Sequence, residues 1–271
     1  MTLPLLALIG FGVGVLGTLV GAGGGFIVVP VLMLIFGLPP TLAAGTSLVV
    51  VAANALAGTA SYARQGKVDW WSGLFLTFTA YPGTLLGAWL GPQLDASRFH
   101  LLFGLLLLGL AGWMVVRTLR VRQEEAAALE KTEPTGRMRI SRQITLRDGT
   151  VHRFSFNGPF AAVTSFGVGL IGAMLGIGGG PLIVPLMING LNYPVHVATA
   201  TSQSMIFLTS IGAVLLYLAG GNLVPSYAGA LSLGVLAGAP AGAWLSARTR
   251  PRAIVWIMSV VLAFLGLRLI L

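Results

Sequence analysis

The stretch "GAGGGFIVVP" at residues 21–30 returns as "GIGGGPLIVP" at residues 176–185, 155 positions further along the chain. Glycine costs a helix about 1 kcal/mol relative to alanine. A glycine cluster in an apolar segment therefore indicates either very close helix packing or a break in the helix. The apolar segments that follow, 26–37 and 181–191, are too short to span a bilayer comfortably at about 1.5 Å per residue. The pattern predicts two broken or re-entrant helices.

The composition indicates an integral membrane protein. The chain of 271 residues is 56% hydrophobic and 8% charged, with a mean hydropathy of +0.90, which lies outside the usual range of soluble domains. A membrane-spanning helix needs about 20 mostly apolar residues. Runs of this kind occupy residues 71–91, 99–116, 197–218, 224–246 and 253–271. The start of the chain lacks the basic region of a signal peptide, so we expect the first apolar stretch to be retained.

The 155-residue offset holds without a gap over nearly the whole half-chain. Identical residues recur in pairs at Phe11 and Phe166, Pro30 and Pro185, Pro39 and Pro194, Tyr62 and Tyr217, and Gly87 and Gly242. Such a register predicts two copies of one structural unit, as in many transporter folds. We assign residues 1–118 to a first transmembrane repeat, 119–158 to a central loop and 159–271 to a second transmembrane repeat.

The basic residues predict the orientation, because lysine and arginine in short loops are retained on the cytoplasmic side. Nine of the 16 basic residues lie between residues 117 and 153, so we expect a multi-pass protein of the cell (inner) membrane with a cytoplasmic central loop. The same rule places the loops of Arg64 and Arg250 inside. We therefore predict an all-α polytopic membrane protein of two inverted-topology repeats, each with a glycine-broken or re-entrant short helix plus three long transmembrane helices.

The central loop has a pattern of its own. Residues 121–134 predict a polar extension of the preceding helix, and residues 140–156 alternate around "RDGT", in which Asp148 and Gly149 form a turn signal. We expect a small cytoplasmic β-hairpin. The pattern leaves open whether this hairpin is a solvated connector or an element of regulation or docking.

Two kinds of glycine pattern have different interpretations. Residues 12–17 and 167–172 fit G-x-G-x-x-G, but a dinucleotide site needs a preceding strand and an acidic residue, and residues 1–63 contain no acid. These glycines favour close helix packing. The consecutive glycines at 21–25 instead favour a broken helix, whose freed N–H groups and positive dipole end form an anion site without a charged side chain. Close packing remains the alternative there.

Hydroxyl and amide side chains follow both glycine clusters and are candidates to complete the coordination of an anion. Thr46 and Ser47 correspond to Thr201 and Ser202 under the offset, while Asn54 corresponds to Thr209. Helix capping is the alternative role of the hydroxyls. The candidate substrate-binding residues are Gly23, Gly24, Gly25, Thr46, Ser47, Asn54, Gly178, Gly179, Gly180, Thr201, Ser202 and Gln203.

These motifs together carry a family resemblance. The stretches "GAGGGFIVVPVL", "AAGTSL" with Asn54, "GIGGGPLIVPL" and "ATATSQ" resemble the TauE/SafE family of sulfite-exporter-type membrane proteins. The resemblance implies export or uptake of small sulfur-containing or organic anions, of the sulfite, sulfonate or thiosulfate class. The inverted repeats predict a secondary transporter that works by alternating access. An anion channel or facilitative pore is the alternative. Pro181 stands where the first copy has Phe26, which makes the two half-sites unequal.

Other functional classes lack the residues that their chemistry needs. There is no cysteine, so disulfides and thiolate metal sites are excluded, and the only histidines are His100, His152 and His196. We expect neither enzymatic activity nor a metal or other cofactor. The net charge of +9 is concentrated in a mixed-sign loop, which argues against nucleic acid. The expected partners are a small anion and the lipid bilayer. A coupling ion, sodium or proton, and the oligomeric state stay open.

Overall fold

The computed structural model describes residues 2–124, 139–145, 151–191, 193–246, 248 and 251–270. Within these residues the chain forms ten α-helices and one two-stranded sheet. The first half of the chain forms α1 (Thr2–Val20), α2 (Gly25–Leu34), α3 (Pro40–Arg64), α4 (Trp70–Leu90) and α5 (Ala96–Glu124). The strands are β1 (Arg139–Thr145) and β2 (Val151–Asn157). The second half forms α6 (Gly158–Met174), α7 (Gly180–Asn189), α8 (Val195–Ala219), α9 (Pro225–Ser246) and α10 (Pro251–Ile270).

The long helices have the length and surface of membrane-spanning segments. In the described part of the chain, five helices are long and apolar enough to cross a bilayer, namely α1, α3, α5 over Ala96–Trp113, α8 and α9. Large apolar side chains point outward, including Phe78 at 82% exposure, Val163 at 73% and Leu233 at 71%. A surface of this kind suits hydrocarbon rather than water. The predicted all-α membrane fold is confirmed.

The glycine clusters break the helices, as predicted from the sequence. Gly21, Gly23 and Gly24 have φ values of 78°, 72° and 85°, and the related Gly176, Gly178 and Gly179 have 75°, 71° and 76°. These left-handed conformations strain any residue with a Cβ. Helices α2 and α7 begin directly afterwards and contain ten residues each, which gives them a length of about 15 Å.

Each short helix turns back along the helix before it. A Cβ on Gly179 would lie 2.9 Å from the Val168 side chain, and one on Gly190 would lie 3.0 Å from the Phe160 ring. The end of α7 therefore returns to the start of α6. In the first repeat, Gly24 lies against Val13 in the corresponding way. The two elements thus form a helical hairpin with the glycines at its tip.

Small residues bring the hairpins close to helices of the other repeat. Helix α1 packs along α9, and its counterpart α6 packs along α4. A Cβ on Gly14 would lie 2.8 Å from Val235 Cα, and one on Gly83 would meet the Phe166 carbonyl group. The packing interpretation of the G-x-G-x-x-G glycines is thereby confirmed for Gly14, Gly17, Gly169 and Gly172. Gly12 and Gly167 instead have no atom within 4 Å of a Cβ.

Helices α3 and α8 pack together at the centre and run in opposite directions. Thr46, in the first part of α3, accepts a hydrogen bond of 2.9 Å from the N–H of Val224, which follows α8. Thr201, in the first part of α8, accepts one of 3.0 Å from the N–H of Asp69, which follows α3. Under the offset these are equivalent bonds. The start of each helix therefore lies near the end of its counterpart.

The predicted β-hairpin is present, with antiparallel pairs from Arg139 with Asn157 to Thr145 with Val151. It is not a solvated connector, because Phe154 is 7% and Phe156 0% exposed. The expected helix extension continues α5 as far as Glu124. The remainder of that extension, together with Asp148 and Gly149, lies outside the described residues.

Replacing Gly83 with alanine should lower the thermal stability of the purified protein, while Gly12→Ala should leave it unchanged or raise it. The new methyl group meets the backbone of α6 at Gly83, and overpacking costs about 1–3 kcal/mol. Gly12 has open space, and alanine favours a helix by about 1 kcal/mol. Thermal unfolding in detergent compares the two variants. Equal melting temperatures would contradict the packing described for α4 and α6.

Candidate functional site

The tips of the two helical hairpins meet. We name residues 21–25 the first glycine loop and residues 176–180 the second glycine loop. A Cβ on Gly25 would lie 2.8 Å from Ile177 Cα and 2.9 Å from the Gly176 carbonyl oxygen. Gly180 lies in the equivalent way against the backbone of Ala22. Backbone approaches of this kind require glycine, because any side chain would occupy the space of the opposite loop.

The two loops meet about halfway along α3 and α8. A Cβ on Gly23 would lie 3.1 Å from the Val51 side chain and 3.4 Å from that of Ile206. The equivalent point on Gly178 contacts the same two side chains. Val51 and Ile206 are themselves related by the offset and are both buried. The site therefore lies at the centre of the helical assembly, where the tips of the two hairpins meet.

Free backbone N–H groups are present at the tip of each hairpin. In the first loop, the N–H groups of Ala22 and Gly23 donate to Gly17 O at 2.8 and 3.2 Å, and those of Ile27 and Val28 donate to Gly24 O. No backbone acceptor among the described residues is found for the N–H groups of Gly24, Gly25 and Phe26. A helix N-terminus leaves such donors unpaired and carries a partial positive charge.

The second loop offers fewer donors. Leu182 and Ile183 donate to Gly179 O at 3.1 and 2.9 Å, as the equivalent residues do in the first loop. Only Gly179 and Gly180 keep free N–H groups at the start of α7 in the described structure, because proline at position 181 has no N–H. The two half-sites therefore differ by one backbone donor.

Asn54 adds a side-chain donor to the first half-site. Its Oδ1 accepts a 2.9 Å hydrogen bond from Thr18, whereas its buried Nδ2 has no partner among the described residues. A Cβ on Gly17 would lie 2.8 Å from Asn54 Nδ2 and 2.7 Å from the backbone nitrogen of Gly24. The Asn54 amide and the N-terminus of α2 therefore both lie beside Gly17. A buried donor without a partner costs about 1–3 kcal/mol, which a hydrogen-bond acceptor within reach of Nδ2 would recover.

Gln203 contacts the same segment of α1. Its Nε2 donates to Gly17 O at 3.2 Å. In the described part of the chain its buried Oε1 has no partner, and it lies 3.2 Å from the point where Gly58 would carry a Cβ. The related residue in the first repeat is Leu48. The amides of Asn54 and Gln203 therefore belong to one half-site only.

The second half-site has hydroxyl groups and a small cavity where the first has amides. Thr209 donates to Met205 O and Ile206 O of its own helix, while the buried Ser210 hydroxyl finds no partner within the residues that the structure describes. Thr84, Gly178, Thr209 and Ser210 are among the residues that line a cavity of about 10 Å³. This is room for about one water molecule.

The predicted hydroxyl residues separate into two pairs. Ser202 reaches the first glycine loop, donating to Gly21 O at 2.9 Å, and its counterpart Ser47 is buried with an unpaired hydroxyl. Thr46 and Thr201 instead accept hydrogen bonds from the loops before α9 and α4, so their oxygens are already engaged in packing contacts.

Thr18 and Ser210 were not among the residues selected from the sequence. Thr18 is three residues before the first glycine loop, and Ser210 directly follows Thr209. Proximity to the glycine loop could have identified Thr18, and proximity to Thr209, which corresponds to Asn54, could have identified Ser210.

The fold defines a polytopic helical membrane protein in which two glycine-tipped hairpins meet at the centre. The chain belongs to the sulfite exporter TauE/SafE family, whose profile matches residues 6–269. The probable membrane transporter protein YunE of Bacillus subtilis is 30% identical over 279 residues, which covers 100% of this chain and 98% of that protein.

A second relative, a probable membrane transporter protein of Methanocaldococcus jannaschii, is 32% identical over 228 residues, which covers 80% of this chain and 73% of that protein. No solved structure matches the chain. The family and these relatives make the protein a membrane transporter and not an enzyme.

Proposed function

We propose that the protein is a secondary transporter of small sulfur-containing or organic anions, of the sulfite, sulfonate or thiosulfate class, in the inner membrane. The observation that carries this proposal is the meeting of two half-helix N-termini halfway along α3 and α8, with the unpaired Asn54 Nδ2 beside one of them. Broken helices with converging N-termini are a recurrent way to hold an anion at membrane depth.

The chemistry of the site favours an anion over a cation. Among the described residues, the unpaired donors at the first half-site outnumber the unpaired acceptor Gln203 Oε1. The donors are the N–H groups of Gly24, Gly25 and Phe26 and the Nδ2 group of Asn54. The positive ends of α2 and α7 add to the attraction. A sulfur oxyanion presents several acceptor oxygens, so it can pair with all of these donors at once. These donors do not titrate, so binding should vary little with pH while the ligand stays ionised.

Alternating access between inverted repeats is the proposed mechanism. The equivalent bonds of Thr46 and Thr201 at opposite ends of α3 and α8 support it, because two related sets of contacts can close the site from either side. Contact between the two glycine loops supports a gated transporter over an open anion pore. On this proposal the central loop is cytoplasmic, as the basic residues predict.

Replacing Asn54 with leucine should weaken anion binding about 10- to 100-fold, because one hydrogen bond to a charged group contributes about 1.5–3 kcal/mol. The matched control is Thr209→Val at the related position, where the hydroxyl is engaged with its own helix. We expect nearly wild-type affinity in that variant. Calorimetry with sulfite, thiosulfate and sulfoacetate on detergent-purified protein measures both. Unchanged affinity in Asn54→Leu would show that the anion does not bind at the first glycine loop.

Counterflow in proteoliposomes separates a transporter from a pore. Vesicles preloaded with one anion of the class should accumulate labelled anion transiently, with a rate that saturates and rises steeply with temperature. Such exchange requires a site that alternates between the two sides. Single-channel currents through the reconstituted protein would contradict the transporter and favour the anion pore.

A further inference from the structure

The β-hairpin is attached to the membrane helices by a partly buried ion pair. Arg142 of β1 donates through Nη2 to Asp69 Oδ1 at 3.0 Å, and the two side chains are 29% and 4% exposed. The guanidinium group also lies over the Trp71 ring, 4.8 Å from its centre. A buried carboxylate is costly without a partner. The planar fork of arginine can pair with a carboxylate and stack on a ring at the same time, so Arg142 is suited to this position.

Asp69 connects the hairpin to helices of both repeats. Its carboxylate accepts from the Ser72 hydroxyl at 2.6 Å and from the Ser72 N–H at 3.4 Å, which caps the start of α4. Its own N–H donates to Thr201 of α8 at 3.0 Å. The chain of contacts therefore runs from β1 through Asp69 to α4 of the first repeat and to α8 of the second.

Aromatic contacts extend the same connection. Phe154 and Phe156 of β2 pack on Tyr193, with ring centres 4.2 and 5.8 Å apart, and Phe156 also approaches Phe75 of α4 at 6.4 Å. Tyr193 lies between α7 and α8, and burial raises the pKa of its phenol group. The hairpin thus covers the start of α4 and the segment that leads into α8.

The opposite end of the molecule has no counterpart of the ion pair at the related positions. The offset relates Asp69 to Val224, whose N–H makes the same bond to Thr46 that Asp69 makes to Thr201. Valine cannot pair with an arginine. The backbone-to-hydroxyl bond is therefore common to both ends, whereas the carboxylate and its arginine are added at one end only, which on the predicted orientation is the cytoplasmic one.

We propose that the β-hairpin, formed by β1 and β2, is a latch that holds this end of the transporter closed, with Arg142 and Asp69 as its positioning residues. The proposal rests on the alternating access proposed above. Opening the site to this side requires α4 to separate from α8, and these helices belong to different repeats. The ion pair and the aromatic contacts resist that separation, so the latch sets how often this end opens.

A cysteine at position 204 can report on this opening, because the chain has no native cysteine. Ser204 of α8 is 3% exposed, and its hydroxyl lies 2.9 Å from the point where Gly73 of α4 would carry a Cβ. The Ser204→Cys variant of the full chain is reconstituted in proteoliposomes. A maleimide added from the side of the hairpin then labels position 204 only when α4 and α8 separate.

Arg142→Gln in this background should increase the labelling rate about tenfold or more, because the carboxylate of Asp69 loses its charged partner. Arg142→Lys should restore part of the protection, since it keeps the charge but not the planar fork. The matched control is Arg98→Gln, which removes an exposed ion pair with Asp95, whose side chains are 77% and 55% exposed. Labelling in the control should equal that of the parent.

Unchanged labelling in folded Arg142→Gln would overturn the latch. A lower melting temperature, together with a labelling rate equal to that of Arg98→Gln, would show that the ion pair is a purely structural contact and would also overturn it. Should Arg142→Gln fail to fold, Trp71→Leu keeps the ion pair, removes the ring beneath it and should increase labelling to a smaller extent. No increase there would equally overturn the latch. Labelling needs no anion, so failure of every anion to bind would refute the proposed substrate class and leave this result standing.

Discussion

The backbone groups freed at the two glycine loops are the constraint on which the rest of the structure depends. Inside a bilayer each unsatisfied N–H or C=O group costs several kcal/mol, so a broken helix is tolerated only where protein surrounds it or where it lines a cavity. The loops meet this requirement by packing on each other, Gly25 against Ile177 and Gly180 against Ala22. Each loop is covered by the other, so the fold needs both glycine loops.

The close packing elsewhere follows from this meeting at the centre. Two hairpins can reach the same point only if their helices lie close to α9 and α4, and glycines such as Gly14 and Gly83 permit that approach. The two halves of the site and of the molecule differ where equivalent positions hold different residues. Asn54 replaces threonine at the first half-site, Pro181 removes a donor from the second, and an aspartate stands at position 69 where the other end has valine.

Local features of the fold could be predicted from the sequence, and contacts between distant residues could not. The helix breaks follow from consecutive glycines, and the β-hairpin from alternating residues around a turn signal, because both depend on near neighbours in the chain. The ion pair joins residues 73 positions apart, which no local pattern indicates. For the same reason the sequence did not predict that Thr46 and Thr201 accept hydrogen bonds from the loops before α9 and α4. The unpaired amide of Asn54 could not be predicted either, because it depends on how α1 packs against α3.

The central claim is that an anion binds between the first glycine loop and Asn54. The most direct test is an experimental structure with bound thiosulfate, whose sulfur atoms are located by anomalous scattering in a protein that has eight methionines and no cysteine. We expect a sulfur peak at a position from which the thiosulfate oxygens accept hydrogen bonds from the N–H groups of Gly24 to Phe26 and from Asn54 Nδ2. A peak remote from both glycine loops would contradict it.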